Sequence, residues 1–322
     1  MPPEMSPTVS TKPSRLTIGT RGSALALAQA NMVADHLRVA HPALAAPDAI
    51  EIAVIKTTGD RVQDRPLAEI GGKGLFTKEI EEALLDGRID LAVHSMKDLE
   101  TQLPGALAIV AVLEREDPRD VLLAGAAKTI AELPHGAVIG TASLRRGAQI
   151  LAARPDLKVV PFRGNVNTRI AKLEAGEVDA TILALAGLRR LGMEGYEESA
   201  IPVAEMLPAV AQGAIGIECR EADSATRALL EPLDHTATAI AVKAERALLA
   251  ALDGSCRTPI AALAVLDAAG GLAIEALIAT PDGASLHRTR EAGAAEAAEA
   301  LGRAAGATLR AVGGPTFFDT DI

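Results

Sequence analysis

Between residues 15 and 184 the chain alternates short apolar β-type runs with amphipathic helical stretches, and several of the runs end in a polar, basic cluster. This rhythm predicts strands covered by helices in a mostly parallel sheet, whose ligands gather beyond the carboxyl ends of the strands. Arg15–Gly19 reads as a strand, and Ser23 is placed to cap a helix that runs towards His41-Pro42. A second strand, Ile50–Lys56, leads into the turn-rich loop Thr57–Gly74, whose length points to a lid. A helix from Leu75 to Asp86 then precedes a strand over Ile89–His94. After two β-type runs, Ala106–Leu113 and Val121–Ala124, the alternation resumes with strands over Ala137–Gly140, Leu157–Phe162 and Asp179–Ala184. Between those last three lie helices from Ser143 and over Val166–Ala175. The polar Glu114–Asp120 segment reads as a crossing between lobes. From Thr236 the pattern changes to a long Ala/Leu helix, a Gly-Ser-Cys loop, strands near Ile260–Leu266 and Leu272–Ala279, and a final Ala-rich helix, as in a separate small α+β unit.

Charge narrows the function. The chain has 42 acidic residues against 32 basic ones, a net charge of −10, which opposes general binding to nucleic acid or an acidic membrane. Four Phe, one Tyr and no Trp leave little for a base-stacking platform. No apolar run is long enough to span a bilayer, and residues 1–15 lack the apolar core of a secretory signal. The only cysteines, Cys219 and Cys256, are too few for a disulfide scaffold, so a reducing, cytoplasmic location is expected. The scattered histidines give no metal-ligand spacing. Against this acidic background the window 141–190 is basic, with nine Lys/Arg against four Asp/Glu.

Four places carry candidate chemistry. His94-Ser-Met-Lys-Asp98 follows a strand, so Lys97 and Asp98 enter a cleft or else form a solvated ion pair. Gly140-Thr-Ala-Ser-Leu-Arg-Arg146 puts Arg145 and Arg146 at a helix start, where positive charge opposes the macrodipole and calls for a compensating anion. Arg163-Gly-Asn165 and Arg169, with Arg189 and Arg190, add cations suited to carboxylates or phosphates, although a solvated helical face explains part of the excess. Cys256 lies in the turn-rich Gly254-Ser-Cys-Arg-Thr-Pro259 beside Arg257, a setting that can expose a thiolate, although a lone cysteine is more often an incidental buried thiol. Cys219 reads as core. No histidine pairs with Cys256 as in a hydrolase, and Gly71-Gly-Lys-Gly74 lacks the spacing of a phosphate loop.

Taken together these segments resemble the porphobilinogen deaminase (hydroxymethylbilane synthase) family. The resemblance rests on Gly19-Thr-Arg-Gly-Ser23, Gly71-Gly-Lys-Gly-Leu-Phe76, His94–Asp98, Glu114–Asp120, Gly140–Arg146, Arg163–Asn165, Leu207–Gly213 and Gly254–Cys256, in the family's order. It implies two periplasmic-binding-protein-like α/β domains around a cleft plus a small C-terminal α+β domain. The boundaries expected are a tail over 1–14, a discontinuous first domain over 15–113 and 214–231 with the lid 57–74, a second over 119–207, and a third over 236–322. It further implies a transferase of tetrapyrrole biosynthesis, with Cys256 carrying a dipyrromethane cofactor through a thioether. Four porphobilinogens are added head to tail with loss of ammonia, and water then releases hydroxymethylbilane.

The same resemblance assigns Asp98 as the catalytic carboxylate. It assigns Lys97, Asp98, Ser143, Arg145, Arg146, Asn165 and Arg169 to the cofactor. Arg21, Ser23, Arg163, Arg190, Gln212 and the lid residue Lys73 go to the substrate, with Phe76 packing near a ring. No metal is implied; a monomer is, with product passed to uroporphyrinogen-III synthase. Each pyrrole unit brings an acetate and a propionate, and non-titrating arginines meet that demand. Two departures stand out: Leu99-Glu100 where the family often has Leu-Pro or Val-Pro, and Ser255 where glycine is common. A noncatalytic carboxylate-binding protein is the main alternative, which leaves Cys256 without a role, and a phosphate-ligand enzyme is a third.

Overall fold

A computed structural model describes residues 15–61, 74–254, 258–314 and 317. The tail, most of the lid loop including Lys73, and Ser255, Cys256 and Arg257 lie outside the described residues.

The chain runs β1 (Leu16–Thr20), α1 (Ala24–Ala40), β2 (Ile50–Val54), α2 (Lys78–Leu85), β3 (Leu91–Ser95), β4 (Leu107–Val112), β5 (Asp120–Ala124), β6 (Val138–Gly140), α3 (Leu144–Ala153), β7 (Lys158–Val160), α4 (Val166–Glu174) and β8 (Ala180–Ala184). It continues through α5 (Leu185–Arg190), β9 (Ile215–Arg220), α6 (Ser224–Leu230), α7 (Thr236–Ala251), β10 (Ile260–Leu266), β11 (Gly271–Ala279), β12 (Leu286–Ala294) and α8 (Ala298–Gly313).

Three sheets result. The first is ordered β2-β1-β3-β9-β4, the second β5-β8-β6-β7, and the third is the antiparallel meander β10-β11-β12. The pairs β1–β2, β1–β3, β6–β7 and β6–β8 are parallel, as strand-helix alternation dictates. The expectation of mostly parallel pairing fails where the crossings enter the sheets, at β5 and at β9. The chain leaves the first sheet after β4, enters the second antiparallel at β5, and comes back as β9, which inserts antiparallel between β3 and β4. The crossing segments 113–119 and 207–214 therefore lie side by side, with Glu116 N donating to Gly213 O at 3.2 Å. A side chain at Gly213, where φ is +89°, would strike Glu116 O, so only glycine fits the return crossing.

Each sheet has its own apolar core. Leu16, Ile18, Leu91 and Ile217 pack under α1 residues Ala30, Val33 and Leu37 in the first, and Ile139, Ile150 and Ile182 pack in the second. In the third unit α7 and α8 cover the meander, and this core reaches Met96 and Leu99 on either side of Lys97-Asp98. The segment carrying Asp98 is thus wedged between the first sheet and the C-terminal unit.

Candidate active site

Three helices begin just beyond strand ends, and each is capped by a residue singled out from the sequence. Ser23 accepts from Ala26 N, Ser143 from Arg146 N and Asn165 from Thr168 N. A serine cap spends one lone pair on the helix and keeps its hydroxyl hydrogen for an anion. The three caps thereby set three helix N-termini, with their positive dipole ends, beyond carboxyl ends of strands of the two lobes.

Asp98 closes a helical turn, Met96–Asp98, directly after β3, and its carboxylate is exposed. It lines a cavity with Arg21, Ser23, Gln29, Phe76, Thr77, His94 and Ser95. Arg21 donates to Asp60 from Nε at 3.2 Å and lies over the Phe76 ring, 4.1 Å from its centroid. Asp98 also faces the other lobe, where its charge favours the protonated form of Arg169.

Lys97 shows the cost of assembling cations. Burial pushes its ammonium down to about 8, and the nearby Arg146 and Arg145 charges add to that against the pull of Asp98 and Asp120. Its hydrogen-bond partner is neutral, Gln212 Oε1 at 3.2 Å. Arg169 and Arg190 are similar: burial pulls each down to about 10, helped at Arg169 by Arg146 and Arg163, and they donate to the carbonyls of Gly164 at 2.8 Å and Gly213 at 2.6 Å. None of the three makes an ion pair among the described residues. Arg163, half-buried before the α4 cap, adds to this field.

Arg145 and Arg146 are engaged differently. Both are buried, and they share Asp120, Arg145 Nη1 at 2.7 Å from Oδ2 and Arg146 Nη2 at 2.7 Å from Oδ1. Remaining donors go to the carbonyls of Leu207 and Ile182, while Arg145 Nε has no hydrogen-bond partner among the described residues. The anion that the helix start calls for is therefore partly internal: one carboxylate for two guanidinium groups. Gln212, 1 % exposed, joins this cluster to Lys97, its Nε2 donating to Asp120 Oδ1 at 2.9 Å and to Pro118 O at 2.8 Å. Its amide is fully occupied by the protein, so it holds Lys97 and the arginine pair in one network across the crossings.

Three polar residues were not legible as site-forming: Asp120, His94 as an ionisable group, and Glu245, which accepts from Arg115, Ala211 N and Ala264 N. Asp120 sits in the Glu114–Asp120 segment and His94 in the Asp98 segment, so position marked them while their partners did not. No group of residues able to hold a metal ion occurs among the described residues.

Comparison with known proteins gives the family. Residues 16–228 match the family model "Porphobilinogen deaminase, dipyromethane cofactor binding domain" and residues 239–311 match "Porphobilinogen deaminase, C-terminal domain". The chain is 54% identical over 311 residues to the chloroplastic porphobilinogen deaminase of Oryza sativa, covering 96% of this chain and 87% of that one. It is 51% identical over 312 residues to the Pisum sativum counterpart, covering 96% and 85%. Similar solved structures include a methionine-binding lipoprotein of Bacillus subtilis (13% identity, TM-score 0.42, covering 68% of this chain and 90% of that one). Another is the aliphatic sulphonate binding protein of Escherichia coli (18% identity, TM-score 0.39, covering 74% and 70%). With family models spanning both the cation-lined lobes and the third unit, the chain belongs to the porphobilinogen deaminase family.

Proposed function

We propose that this chain condenses four porphobilinogens on a dipyrromethane primer attached to Cys256 and releases the linear product by hydrolysis. The observation that carries the reading is the set of desolvated cations, Lys97 and Arg169 near Asp98 and Arg190 against the return crossing, none of which makes an ion pair among the described residues. Such a site is complete only with an anionic ligand. A polycarboxylate fits it, and the buried Arg145 Nε, still without an acceptor among the described residues, supplies a further donor. Lys97, Arg145, Arg146 and Arg169, with the Ser143 and Asn165 caps, would hold the primer's carboxylates, and Asp98 its pyrrole N–H groups. Arg21, Ser23, Arg163, Arg190 and Lys73 would hold the incoming substrate. Gln212 acts in this scheme by fixing Lys97.

The primer supplies a nucleophilic pyrrole carbon. The protein's part is electrostatic: Asp98 stabilises the cationic ring formed as ammonia leaves, and fixed cations hold the carboxylates in register. Intact-mass measurement of the purified protein tests the reading. An adduct of two pyrrole units is expected, absent in Cys256→Ser; an unmodified wild type with full activity would overturn it. The reading also makes the chain a cytoplasmic monomer that passes product to uroporphyrinogen-III synthase. The rice and pea relatives carry chloroplastic names, and no described helix is long and apolar enough to cross a membrane. Cell fractionation and sedimentation decide these points.

A further inference from the structure

Asp60 has no role in the scheme above, yet it makes the closest polar contacts of a residue that does, Arg21. Arg21 follows β1, and the helical turn Thr58–Arg61 follows β2, the parallel neighbour of β1, so the two side chains start from the carboxyl ends of adjacent strands. Arg21 Nε donates to both carboxylate oxygens of Asp60 at 3.2 Å, and Nη2 donates to Oδ1 at 2.5 Å. Thr57, fully buried, donates from Oγ1 to Asp60 Oδ2 at 2.8 Å. The Phe76 ring covers a face of the guanidinium, 4.1 Å from Cζ to the ring centroid. That ring is itself seated on Gly59, where a Cβ would fall 2.2 Å from it, and Gly59 N donates to Leu75 O at 2.7 Å.

An ion pair with side chains 25 % and 28 % exposed adds little to stability, so its geometry is what matters. Asp60 occupies the Nε–Nη2 edge of the guanidinium and Phe76 one face. The outer edge, Nη1 with the second Nη2 hydrogen, is left over, and that fork matches one carboxylate. Nη1 has no hydrogen-bond partner among the described residues, and Arg21 lines the cavity. Burial by itself would raise the Asp60 carboxyl, but the hydrogen bonds from Arg21 and Thr57 hold it below its ordinary 3.8, so it is ionised throughout the neutral range.

We propose that Asp60 is a positioning residue that locks Arg21 so that its outer edge receives one carboxylate of the incoming pyrrole, an inference that rests on the function proposed above. Asp60 acts through Arg21 and does not touch the substrate. Without it the guanidinium swings about its side-chain bonds, and the entropy of fixing it then opposes substrate binding.

The test compares wild type, Asp60→Asn and Asp60→Glu as holoenzymes. The probes are porphobilinogen and two analogues, used as competitive inhibitors, in which either the acetate or the propionate is a neutral carboxamide. Asp60→Asn should keep the cofactor mass, hold kcat within about threefold and raise KM about 10-fold, the upper end of what ordering one long side chain costs. Asp60→Glu, which restores the carboxylate, should recover part of the loss. The inhibition constant of one analogue should rise about 10-fold in Asp60→Asn; that of the other, which lacks the carboxylate bound by Arg21, should stay at its wild-type value. An unchanged KM would overturn the inference, and so would an equal rise for both analogues, the signature of a general structural loss. If Asp60→Asn fails to fold, Thr57→Val decides: it removes one of the bonds that hold Asp60, and a KM rise not confined to one carboxylate, or no rise, overturns the positioning role. A wild type lacking the two-pyrrole adduct would instead overturn the proposed function itself.

Discussion

Lys97 and Asp98 are neighbours with opposite demands on their surroundings. For Lys97 the folded protein lowers the ammonium from its ordinary 10.5 to about 8, so unfolding takes up protons between those values. The charge penalty on folding is therefore full below about pH 8, shrinks through the window and is gone above 10.5. Lys97→Met in the cofactor-free Cys256→Ser background should raise stability to urea below pH 8, the gain fading as pH rises to 10.5; a gain independent of pH would show that desolvation is not the cause. Asp98 is exposed, and under the proposed function it would place negative charge where positive charge develops. Asp98→Asn should fold, keep the cofactor mass and lose at least about 10²-fold in kcat. Near-normal turnover would remove it from catalysis.

At the scale of elements, the start of α3 joins capping, charge and sheet edge. Ser143 caps the helix while Arg145 and Arg146 reach Asp120 on the first strand of the second lobe. Burial by itself would raise the Asp120 carboxyl, but the two arginines hold it well below the usual carboxylate range. Its contribution to stability is present above the ordinary value of 3.8 and is lost as pH falls towards the folded value. Asp120→Asn strands two buried guanidinium groups and should cost about 3–5 kcal/mol, with the gap to wild type full above pH 3.8 and narrowing below it in thermal melts across pH. Cofactor mass should fall in the same variant as the arginines lose their alignment. The helix and its cap were legible because Ser143 precedes a periodic run. Asp120 was not, because its partners lie 25 and 26 residues away in sequence and no local pattern records that distance. Strand β12 escaped for a related reason: Leu-His-Arg-Thr-Arg-Glu-Ala-Gly-Ala is an edge strand with one face exposed, and it has too few apolar residues to show a period. The antiparallel insertion of β9 was hidden likewise, since the Ile215–Cys219 run fits a strand of either direction.

For the whole molecule, the question is how three sheets act on one substrate, and Glu245 answers for the third unit. It lies on α7, the helix that precedes the Cys256 loop, and is fully buried. Its carboxylate accepts from Arg115 Nη1 at 2.6 Å on the outgoing crossing, Ala211 N at 2.5 Å on the return crossing and Ala264 N at 2.8 Å in β10. Ala211 is held at a φ of 57°, a left-handed conformation that a side-chain-bearing residue adopts at a cost of about 1–2 kcal/mol. The bond to Glu245 is one of the contacts that sustain it. Arg115 also donates from Nε to Gln212 O at 2.8 Å, so a single chain of contacts runs from the third unit through both crossings to the residue that fixes Lys97. Glu245→Gln removes the charge that Arg115 needs and one of the acceptors. Because truncating one side of a buried pair costs about 3–5 kcal/mol, the loss should fall on the joint between units and leave each apolar core intact. Unfolding in urea, expected as a single transition in wild type, should then split into two, with the third unit opening first in hydrogen exchange. Under the proposed function the cofactor mass should stay unchanged while turnover drops, since the third unit has lost its fixed relation to Lys97 and Asp98. A single transition shifted to lower urea, with turnover per folded molecule unchanged, would show that Glu245 stabilises the fold without linking its parts.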